Sequence, residues 1–325
     1  MMRAIEIQQY GGPEVLQLVE REERAPGPGE VRVRHRAIGI NFVDIYNRTG
    51  LYPVAFPAVL GGEAAGVVEA VGSGVTHLVV GDRVVYGGTS RGSYAEARTL
   101  PADPVVKLPA SIDFETAAAA FTKGLTVDQL LLRTFHRLEK GDYLLWHAAA
   151  GGVGLIACQW ARELGYRVIA TAGSKAKCDL AVAHGAEHAI DYRTEDVVAR
   201  VTEITGGAKV KAVFDSVGKD TWERSLDCLQ KYGLMVSFGN ASGAVPPVAL
   251  GQLAAKGGLY VTRPTMGTFA TDGPLVQEMA AELFALMERG VVKVSVERRY
   301  PLADVAQAHK DLEARVTIGA GVLIP

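Results

Sequence analysis

The stretch WHAAAGGVGLIACQW, residues 146–160, joins a short apolar run to a helical pattern through three glycines. The run that begins it, residues 143–148, is apolar and unbroken, which is typical of a strand buried on both faces of a parallel sheet. After the glycines, apolar side chains recur at three- and four-residue steps up to Gly165, which predicts a crossover helix that ends there. The stretch therefore predicts a strand–turn–helix unit of a doubly wound α/β fold.

The glycine turn, AAGGVG at residues 149–154, matches the dinucleotide-binding fingerprint with alanine in the place of the first glycine. Gly151 allows the backbone to approach a pyrophosphate, and Gly154 allows the helix to pack closely on the strand. The unpaired N–H groups at the start of a helix also favour phosphate groups. Because glycine turns often serve packing alone, the motif predicts nucleotide binding only together with its surroundings.

The next predicted strand, residues 166–171, ends without the acidic residue that pairs with the ribose hydroxyls in NAD-binding units. Small residues, one hydroxyl and two lysines follow it, in the order Ala172, Gly173, Ser174, Lys175, Ala176 and Lys177. An acid would repel a 2′-phosphate, whereas Ser174 can donate to it and a lysine can neutralise it. Beside the glycine turn, this loop favours NADP(H) over the alternative of a solvated helix start with ordinary surface lysines.

Length, charge and cysteine content fit a globular enzyme of two domains. The chain has 325 residues, of which 48% are hydrophobic, and a formal net charge of −2, so a nucleic-acid partner is not expected. It has no apolar span long enough to cross a bilayer and no signal-peptide core at its start, so a cytoplasmic location is expected. Cys158, Cys178 and Cys228 lie far apart in predicted helices without a CxxC pair, which favours buried thiols over a disulfide framework or a zinc cage.

The pattern of elements changes along the chain. Glycine and proline separate short predicted strands near the start, at residues 3–7, 30–40, 64–70 and 82–86. From about Phe114, helical and strand-like segments alternate, with further strands predicted at residues 188–191, 210–215, 234–239 and 259–262. A long helix at 273–289 follows, and the strand-like segments 294–301 and 321–324 are expected to rejoin the first domain. The patterns predict a β-rich domain interrupted by a doubly wound parallel sheet.

This layout and several motifs resemble the medium-chain dehydrogenases/reductases. LGGEAAGVVEAVGSGV, residues 60–75, is similar to that superfamily's GHE-containing signature, and GDRV, residues 81–84, to the turn after it. Four further motifs resemble the NADPH:quinone oxidoreductase branch, the relatives of zeta-crystallin: NFVDIYNRTGLYP (41–53), AAAGGVG (148–154), DSVG (215–218) and VSFGNASG (236–243). The resemblance covers nearly the whole chain.

The resemblance implies a division into domains. A β-rich, GroES-like catalytic domain is expected at residues 1–122 and 264–325, and a Rossmann domain that binds NADPH at residues 123–263. It also implies a homodimer, in which the last strand of the nucleotide-binding sheet, residues 259–262, pairs with its symmetry mate and so satisfies its open edge.

Departures from the zinc-dependent alcohol dehydrogenases point away from metal catalysis. Asn41 and Gly62 stand where the resemblance implies a cysteine and a histidine ligand, and the four-cysteine lobe is missing. Without a Lewis acid, hydrogen-bond donors must stabilise the carbonyl oxygen that gains charge. The resemblance makes Asn41, Tyr46, Tyr52 and Arg263 the candidate catalytic residues, the first three on one turn and the last on the segment that joins the domains. Taken singly, Asn41 also suits a loop cap, and the tyrosines suit apolar packing.

The resemblance further implies contacts to NADPH. Ser174, Lys177 and Tyr192 are expected around the 2′-phosphate. The whole expected cofactor-binding set is Asn41, Tyr46, Thr126, Gly151, Gly152, Val153, Gly173, Ser174, Lys177, Tyr192, Ser216, Val217, Phe238, Gly239 and Asn240.

The function implied is that of a zinc-independent NADPH:quinone oxidoreductase acting on small-molecule quinones. The absence of an evident general acid agrees with it, because the oxyanion of an aromatic hydroquinone is a weak base that water can protonate. One alternative is NADPH-dependent reduction of the C=C bond of enals or enones. Another is a non-catalytic, NADPH- and RNA-binding role like that of zeta-crystallins, which the net charge disfavours.

Two other motifs are expected to be structural. Residues 88–92 match GxSxG, but a nucleophile elbow needs a preceding strand and a following helix, so a surface turn is expected there. His147 and His184 lack a metal-ligand or nucleophile partner at a useful spacing.

Overall fold

The structure is a computed structural model, and it describes residues 1–88, 91–134, 137–270, 272–314 and 318–325. The strands are β1 Met2–Ile7, β2 Gln17–Arg21, β3 Glu30–Gly39, β4 Ala58–Val59, β5 Ala64–Val71, β6 Arg83–Tyr86, β7 Ala97–Pro101, β8 Val106–Lys107, β9 Tyr143–Trp146, β10 Arg167–Ala172, β11 His188–Asp191, β12 Val210–Asp215, β13 Leu229–Ser237, β14 Tyr260–Thr262, β15 Val296–Pro301 and β16 Ala320–Ile324. The α-helices are α1 Phe42–Thr49, α2 Phe114–Asp128, α3 Gly152–Glu163, α4 Lys175–Ala183, α5 Val197–Ile204, α6 Trp222–Asp227, α7 Leu250–Ala255, α8 Gly273–Glu288 and α9 Val305–Glu313.

The chain forms two compact units. Unit 1 consists of Met1–Leu125 and Met266–Pro325, and unit 2 consists of Thr126–Thr265. Unit 2 is thus an insertion in the chain of unit 1.

Unit 2 is built on a parallel sheet with the strand order β11-β10-β9-β12-β13-β14. The strand order reverses between β9 and β12, and in such sheets ligands bind at the carboxyl ends of the strands beside that reversal. The buried rings of Trp146 on β9 and Phe214 on β12 stack with their centroids 4.6 Å apart. The predicted doubly wound α/β fold is confirmed, and the glycine turn after β9 lies at the reversal.

Unit 1 contains two sheets. The larger one has the order β15-β16-β3-β5-β6-β8, with β7 also paired to β3, and the smaller one has the order β2-β1-β4. β16 pairs antiparallel with β3, so the tail of the chain returns to the first domain as predicted. Along β3 the buried side chains of Val31, Val33 and His35 alternate with more exposed arginines, which gives this strand one face in the core.

Three details differ from the sequence analysis or extend it. β13 begins at Leu229 rather than at Leu234, because a register shift opposite β12 and a left-handed residue, Tyr232 with φ 59°, let the strand continue through an irregular segment. Cys228 caps the end of α6 instead of lying inside it. All three cysteines are buried and unpaired, as expected.

The GxSxG match at residues 88–92 was expected to be a surface turn, and no membrane-spanning segment was expected. Thr89 and Ser90 of the GxSxG match lie outside the described residues. In the described part of the chain, no helix combines the length and the apolar character that crossing a bilayer requires.

Candidate active site

The glycine turn leaves backbone N–H groups open at the start of α3. Gly151 is the extended N-cap residue, and the first bond to it from the helix runs from the Leu155 N–H to the Gly151 carbonyl at 2.9 Å. The N–H groups before Leu155 therefore have no acceptor within the helix. A Cβ atom at Gly154 would lie 2.5 Å from the Cα atom of Ala149, so only glycine permits this close packing of helix against turn. Bare backbone and open N–H groups fit the pyrophosphate of a dinucleotide.

The loop after β10 brings together three of the residues expected around the 2′-phosphate. Ser174 is the N-cap of α4, and its Oγ accepts a hydrogen bond from the Lys177 N–H at 3.3 Å, which leaves its own hydroxyl hydrogen able to donate. The hydroxyl of Tyr192 lies over Gly173, where a Cβ atom would come within 2.5 Å of it. Gly173 therefore makes room for Tyr192. The group combines hydrogen-bond donors with a helix start.

Lys175 forms an ion pair within its own helix. The ammonium group of Lys175 lies 2.8 Å from the carboxylate of Asp179, one turn further along α4, and both side chains are largely exposed. That cation is therefore partly neutralised by its own helix.

A cation that the sequence analysis did not single out lies at the same loop. The Nε atom of Arg193 is 3.4 Å from the place that a Cβ atom of Gly173 would occupy. The signal available was its position directly after Tyr192, at the end of β11. Arg193 therefore adds positive charge beside Gly173.

The other expected cofactor residues of unit 2 follow the next strands. The carboxylate of Asp215, at the end of β12, accepts hydrogen bonds from the N–H groups of Val217 at 2.7 Å and Gly218 at 3.0 Å and so fixes that loop. A Cβ atom at Gly239 would lie 2.4 Å from the Ser216 carbonyl oxygen, so the loops after β12 and β13 pack against each other. Ser216, Val217, Phe238, Gly239 and Asn240 are thereby collected at one edge of the sheet. Thr126 lies in the last turn of α2.

Arg263 belongs to the same edge of unit 2. Its Nη1 atom donates to Ser237 Oγ at 3.2 Å and to the Gly239 carbonyl oxygen at 3.0 Å. Its Nη2 atom lies 3.0 Å from the amide oxygen of Asn240 when that amide is turned toward it. The guanidinium group thus holds the loop after β13, a role that the sequence analysis did not foresee.

The other three candidate catalytic residues lie in unit 1, around α1. They do not share one turn as expected, because the segment folds into a helix: Asn41 is its N-cap, Tyr46 lies within it and Tyr52 follows it. The rings of Tyr46 and Tyr52 meet edge to face with centroids 5.2 Å apart, and the Tyr52 N–H donates to the Tyr46 carbonyl at 3.1 Å. Tyr46 is 8% exposed. The two tyrosine rings therefore pack against each other.

Asn41 is held by two buried carboxylates. Its Nδ2 atom donates to Glu63 Oε2 at 2.7 Å, and its backbone N–H donates to Asp44 Oδ2 at 2.9 Å. Burial raises the pKa of the Glu63 carboxyl, and it raises the pKa of Asp44 to about 7. Asn41 thus caps the helix, as the sequence suggested. Its side chain also contacts Glu63, which belongs to the motif at residues 60–75.

The two histidines make ordinary structural contacts. The buried ring of His147 lies 2.9 Å from Thr171 Oγ1 through Nδ1 and 3.0 Å from Ser225 Oγ through Nε2, and burial lowers its pKa. His184 Nδ1 lies 2.9 Å from the Leu180 carbonyl oxygen. Within the described residues, no three His, Cys, Asp or Glu side chains form a group able to hold a metal ion.

Comparison with known proteins gives concordant matches. Residues 27–110 match the alcohol dehydrogenase GroES-like domain, and residues 152–288 match the zinc-binding dehydrogenase family. The chain is 54% identical to a quinone oxidoreductase of Pseudomonas aeruginosa and 53% identical to quinone oxidoreductase 1 of Escherichia coli, and each match covers 100% of both chains. It is also 41% identical to a 2-haloacrylate reductase of a Burkholderia species, over 100% of this chain and 99% of that protein.

A solved structure gives the same result. The crystal structure of the Escherichia coli quinone oxidoreductase complexed with NADPH matches with a TM-score of 0.97 and 53% sequence identity. The match covers 99% of this chain and 100% of that chain.

Proposed function

Because this chain belongs to the quinone oxidoreductase branch of the medium-chain dehydrogenases/reductases, we propose that it reduces small-molecule quinones with NADPH. The observation that carries the proposal is the loop after β10. There the Tyr192 hydroxyl faces Gly173, Ser174 follows it, Lys177 lies in the first turn of α4, and no carboxylate directly follows the strand. Such a loop suits a 2′-phosphate and lacks the acid that suits an unphosphorylated ribose. The full-length identity to quinone oxidoreductases supplies the substrate class.

The residues of unit 2 would hold the cofactor in two places. The open N–H groups at the start of α3 suit the pyrophosphate, and the group at Gly173, with Arg193 beside it, suits the 2′-phosphate. When bound, NADPH supplies the reducing hydride. The remaining expected contacts come from the loops after β12 and β13, which pack against each other at Ser216 and Gly239. Arg263 holds the second of these loops.

The residues of unit 1 supply donors for the substrate. We assign Asn41, Tyr46 and Tyr52 to the substrate's carbonyl oxygens, which gain negative charge during reduction. The role of Arg263 as a further donor to the substrate stays a prediction. The amide of Asn41 has two N–H donors, and the contact to Glu63 uses one of them. A hydroquinone oxyanion is a weak base, so its protonation does not require a general acid from the chain.

The proposed reaction does not require a metal. Asn41 carries an amide and Gly62 no side chain at the two positions where the resemblance implies zinc ligands. The amide is instead engaged with Glu63. We therefore propose hydrogen bonding in place of Lewis-acid stabilisation.

The experiment that tests this function is a panel of ortho-quinones, para-quinones, enones and a 2-haloacrylate, each assayed with NADPH. We expect turnover with at least one class of quinone and the highest catalytic efficiency there. A purified, folded enzyme that binds NADPH and turns over no quinone would contradict the proposal.

Reduction of activated C=C bonds is the second candidate, favoured by the 41% identity to a 2-haloacrylate reductase. The same panel separates the two functions. Catalytic efficiency with an enone or 2-haloacrylate well above that with every quinone would make this the main activity.

We also propose a homodimer that forms through β14. This strand is the edge of the sheet in unit 2, and its Tyr260 and Val261 are 44% and 40% exposed. Pairing with a symmetry mate would satisfy the open backbone groups and cover these side chains. Sedimentation should give a dimer at micromolar concentration, and a monomer there would contradict it.

A cytoplasmic location completes the proposal. Its support is the three buried, unpaired thiols, which suit a reducing compartment.

A further inference from the structure

Glu63 accepts hydrogen bonds from two donors that come from different parts of unit 1. The Asn41 amide donates to Oε2 at 2.7 Å, and the Thr122 N–H, in α2, donates to Oε1 at 2.6 Å. The ammonium group of Lys123 lies 3.9 Å from Oε2. Glu63 is 0% exposed, and a buried carboxylate in such surroundings is stable only while donors and a cation face it.

Asp44 is the second carboxylate that contacts Asn41, and a series of hydrogen-bonded side chains leads to it. Tyr94 donates its hydroxyl to Asp44 Oδ2 at 2.9 Å, and the same hydroxyl lies 3.0 Å from His309 Nε2. His309 Nδ1 lies 3.1 Å from Arg48 Nη1. Asp44, Tyr94, His309 and Arg48 are all buried.

Arg48, the cation at the end of this series, sets the direction of every hydrogen bond in the series. Arg48 can only donate, so His309 Nδ1 must accept, and its Nε2 must carry the hydrogen that points at Tyr94. The Tyr94 hydroxyl is then left to donate to Asp44. Burial and the neighbouring Arg48 lower the pKa of His309 to about 3, in keeping with this neutral tautomer.

We propose that Glu63 and Asp44 are positioning residues for Asn41: Glu63 orients its amide, and Asp44, held by Tyr94, His309 and Arg48, anchors its backbone, so that the remaining amide N–H is presented to the substrate's oxygen. The inference rests on the proposed role of Asn41 in quinone reduction. It assigns a purpose to Glu63, the acidic residue of the signature at 60–75, and to Asp44.

Replacing Glu63 by glutamine tests the orientation of the amide. A glutamine has one oxygen for two donors, so if it accepts from Thr122 its NH₂ group faces Asn41. The Asn41 amide is then driven to turn, which exchanges its outward donor for an acceptor. We expect Glu63→Gln to lower the single-turnover rate with a quinone about tenfold, because the loss of one charge-assisted hydrogen bond to the substrate has about this effect.

A double-mutant cycle distinguishes positioning from a general structural role. If Glu63 acts through Asn41, adding Glu63→Gln to Asn41→Ala should change the rate by less than about twofold. Equal losses from Glu63→Gln in both backgrounds, or no loss in the wild type while Asn41→Ala is slow, would overturn the inference and leave the role of Asn41 intact. An unaltered rate in Asn41→Ala would overturn the role of Asn41 and the inference with it.

Tyr94→Phe tests the second support without altering a charge. The titratable groups that act on Asp44 are Glu63, Lys123 and Tyr94. His309 and Arg48 are connected to it by hydrogen bonds through Tyr94. Loss of the Tyr94 donor removes stabilisation of the ionised carboxylate, so its pKa must rise further.

We therefore expect the acid limb of the rate against pH to begin at higher pH in Tyr94→Phe than in the wild type. Tyr86→Phe is the matched control, since that buried hydroxyl bonds to His35 and Ser93 instead. An unshifted limb in Tyr94→Phe, or the same shift in Tyr86→Phe, would contradict the role of Asp44. This measurement stands even where Glu63→Gln fails to fold.

Discussion

The residues of unit 2 that we propose for the cofactor lie at turns and helix starts, with backbone N–H groups and part-exposed side chains, whereas Asn41 of unit 1 is held by carboxylates buried from solvent. Tyr192 is 37% exposed, while Glu63 and Asp44 are 0% and 1% exposed. A phosphate group is itself charged, and it binds to hydrogen-bond donors that are accessible from solvent. A single amide must instead be fixed in direction, and a rigid buried network does that.

The contrast predicts different consequences of mutation. Changes at the phosphate loop should alter affinity for one cofactor and leave stability nearly unchanged. Changes in the buried network of unit 1 should alter stability or catalytic rate. Four variants or treatments, taken in order of expected effect, test this division.

The largest effect is expected from Arg48→Met. Arg48 is 1% exposed and donates to the Gly11 carbonyl, to His309 and to the carboxylate of Glu313, at 2.6 Å for the closest Glu313 contact. Removing the buried cation strands these acceptors, so the free energy of unfolding should fall by about 3 kcal/mol. Urea titration measures it.

Arg24→Met is the control, because the side chain of Arg24 is 61% exposed and pairs with Glu30 at the surface. It should cost less than about 1 kcal/mol. Similar losses from the two variants would show that the buried network is no more important to stability than a surface pair.

The second effect is expected from Lys177→Ala in unit 2. Loss of a charge-assisted contact to the 2′-phosphate should weaken NADPH binding by about 1.5 to 3 kcal/mol, or one to two decades in Kd, and leave NADH binding nearly unchanged. Titration of each cofactor measures this. Lys175→Ala is the matched control, since that ammonium group already pairs with Asp179; an equal loss for NADPH and NADH in Lys177→Ala would remove the assignment.

The sequence could predict the glycine turn after β9 and the helix start after β10 because their determinants are local. Gly151, Gly154 and Ser174 act through backbone geometry within a few residues, and such geometry leaves a recognisable pattern. Arg193 was missed because a single arginine after a strand has no pattern of its own. The alternation of helices and strands predicted a doubly wound parallel sheet but not the order of its six strands.

The network in unit 1 could not be predicted in the same way. Asn41, Glu63, Tyr94 and His309 are separated by up to 268 positions, from 41 to 309, and meet only once the strands of unit 1 have paired. The motif around Glu63 was recognised by resemblance, but nothing local connects it to the amide of Asn41. The place of Arg263 also depends on long-range folding, since Gly239 and Ser237 lie on another strand's end.

The third effect is expected from Tyr52→Phe, which keeps the ring against Tyr46 and deletes only the hydroxyl. One donor in a site that admits flat, hydrated quinones should contribute about 1.4 kcal/mol, so catalytic efficiency with an ortho-quinone should fall about tenfold while the Kd for NADPH stays constant. Tyr300→Phe is the control, because its hydroxyl bonds to Asp311. Unchanged turnover in both Tyr52→Phe and Asn41→Ala would place the substrate elsewhere.

The smallest effect is expected from exhaustive chelation of metals. The measurement is the rate of quinone-dependent NADPH oxidation before and after chelation, with metal analysis of the same preparation. Hydrogen-bond donors, among them the Asn41 amide held by buried carboxylates, are proposed to stabilise the substrate's oxygen in place of a metal, because Asn41 and Gly62 offer no zinc ligand. The rate should be the same before and after chelation, with no stoichiometric zinc in the protein. A rate that is lost on chelation and restored by zinc would contradict the central claim.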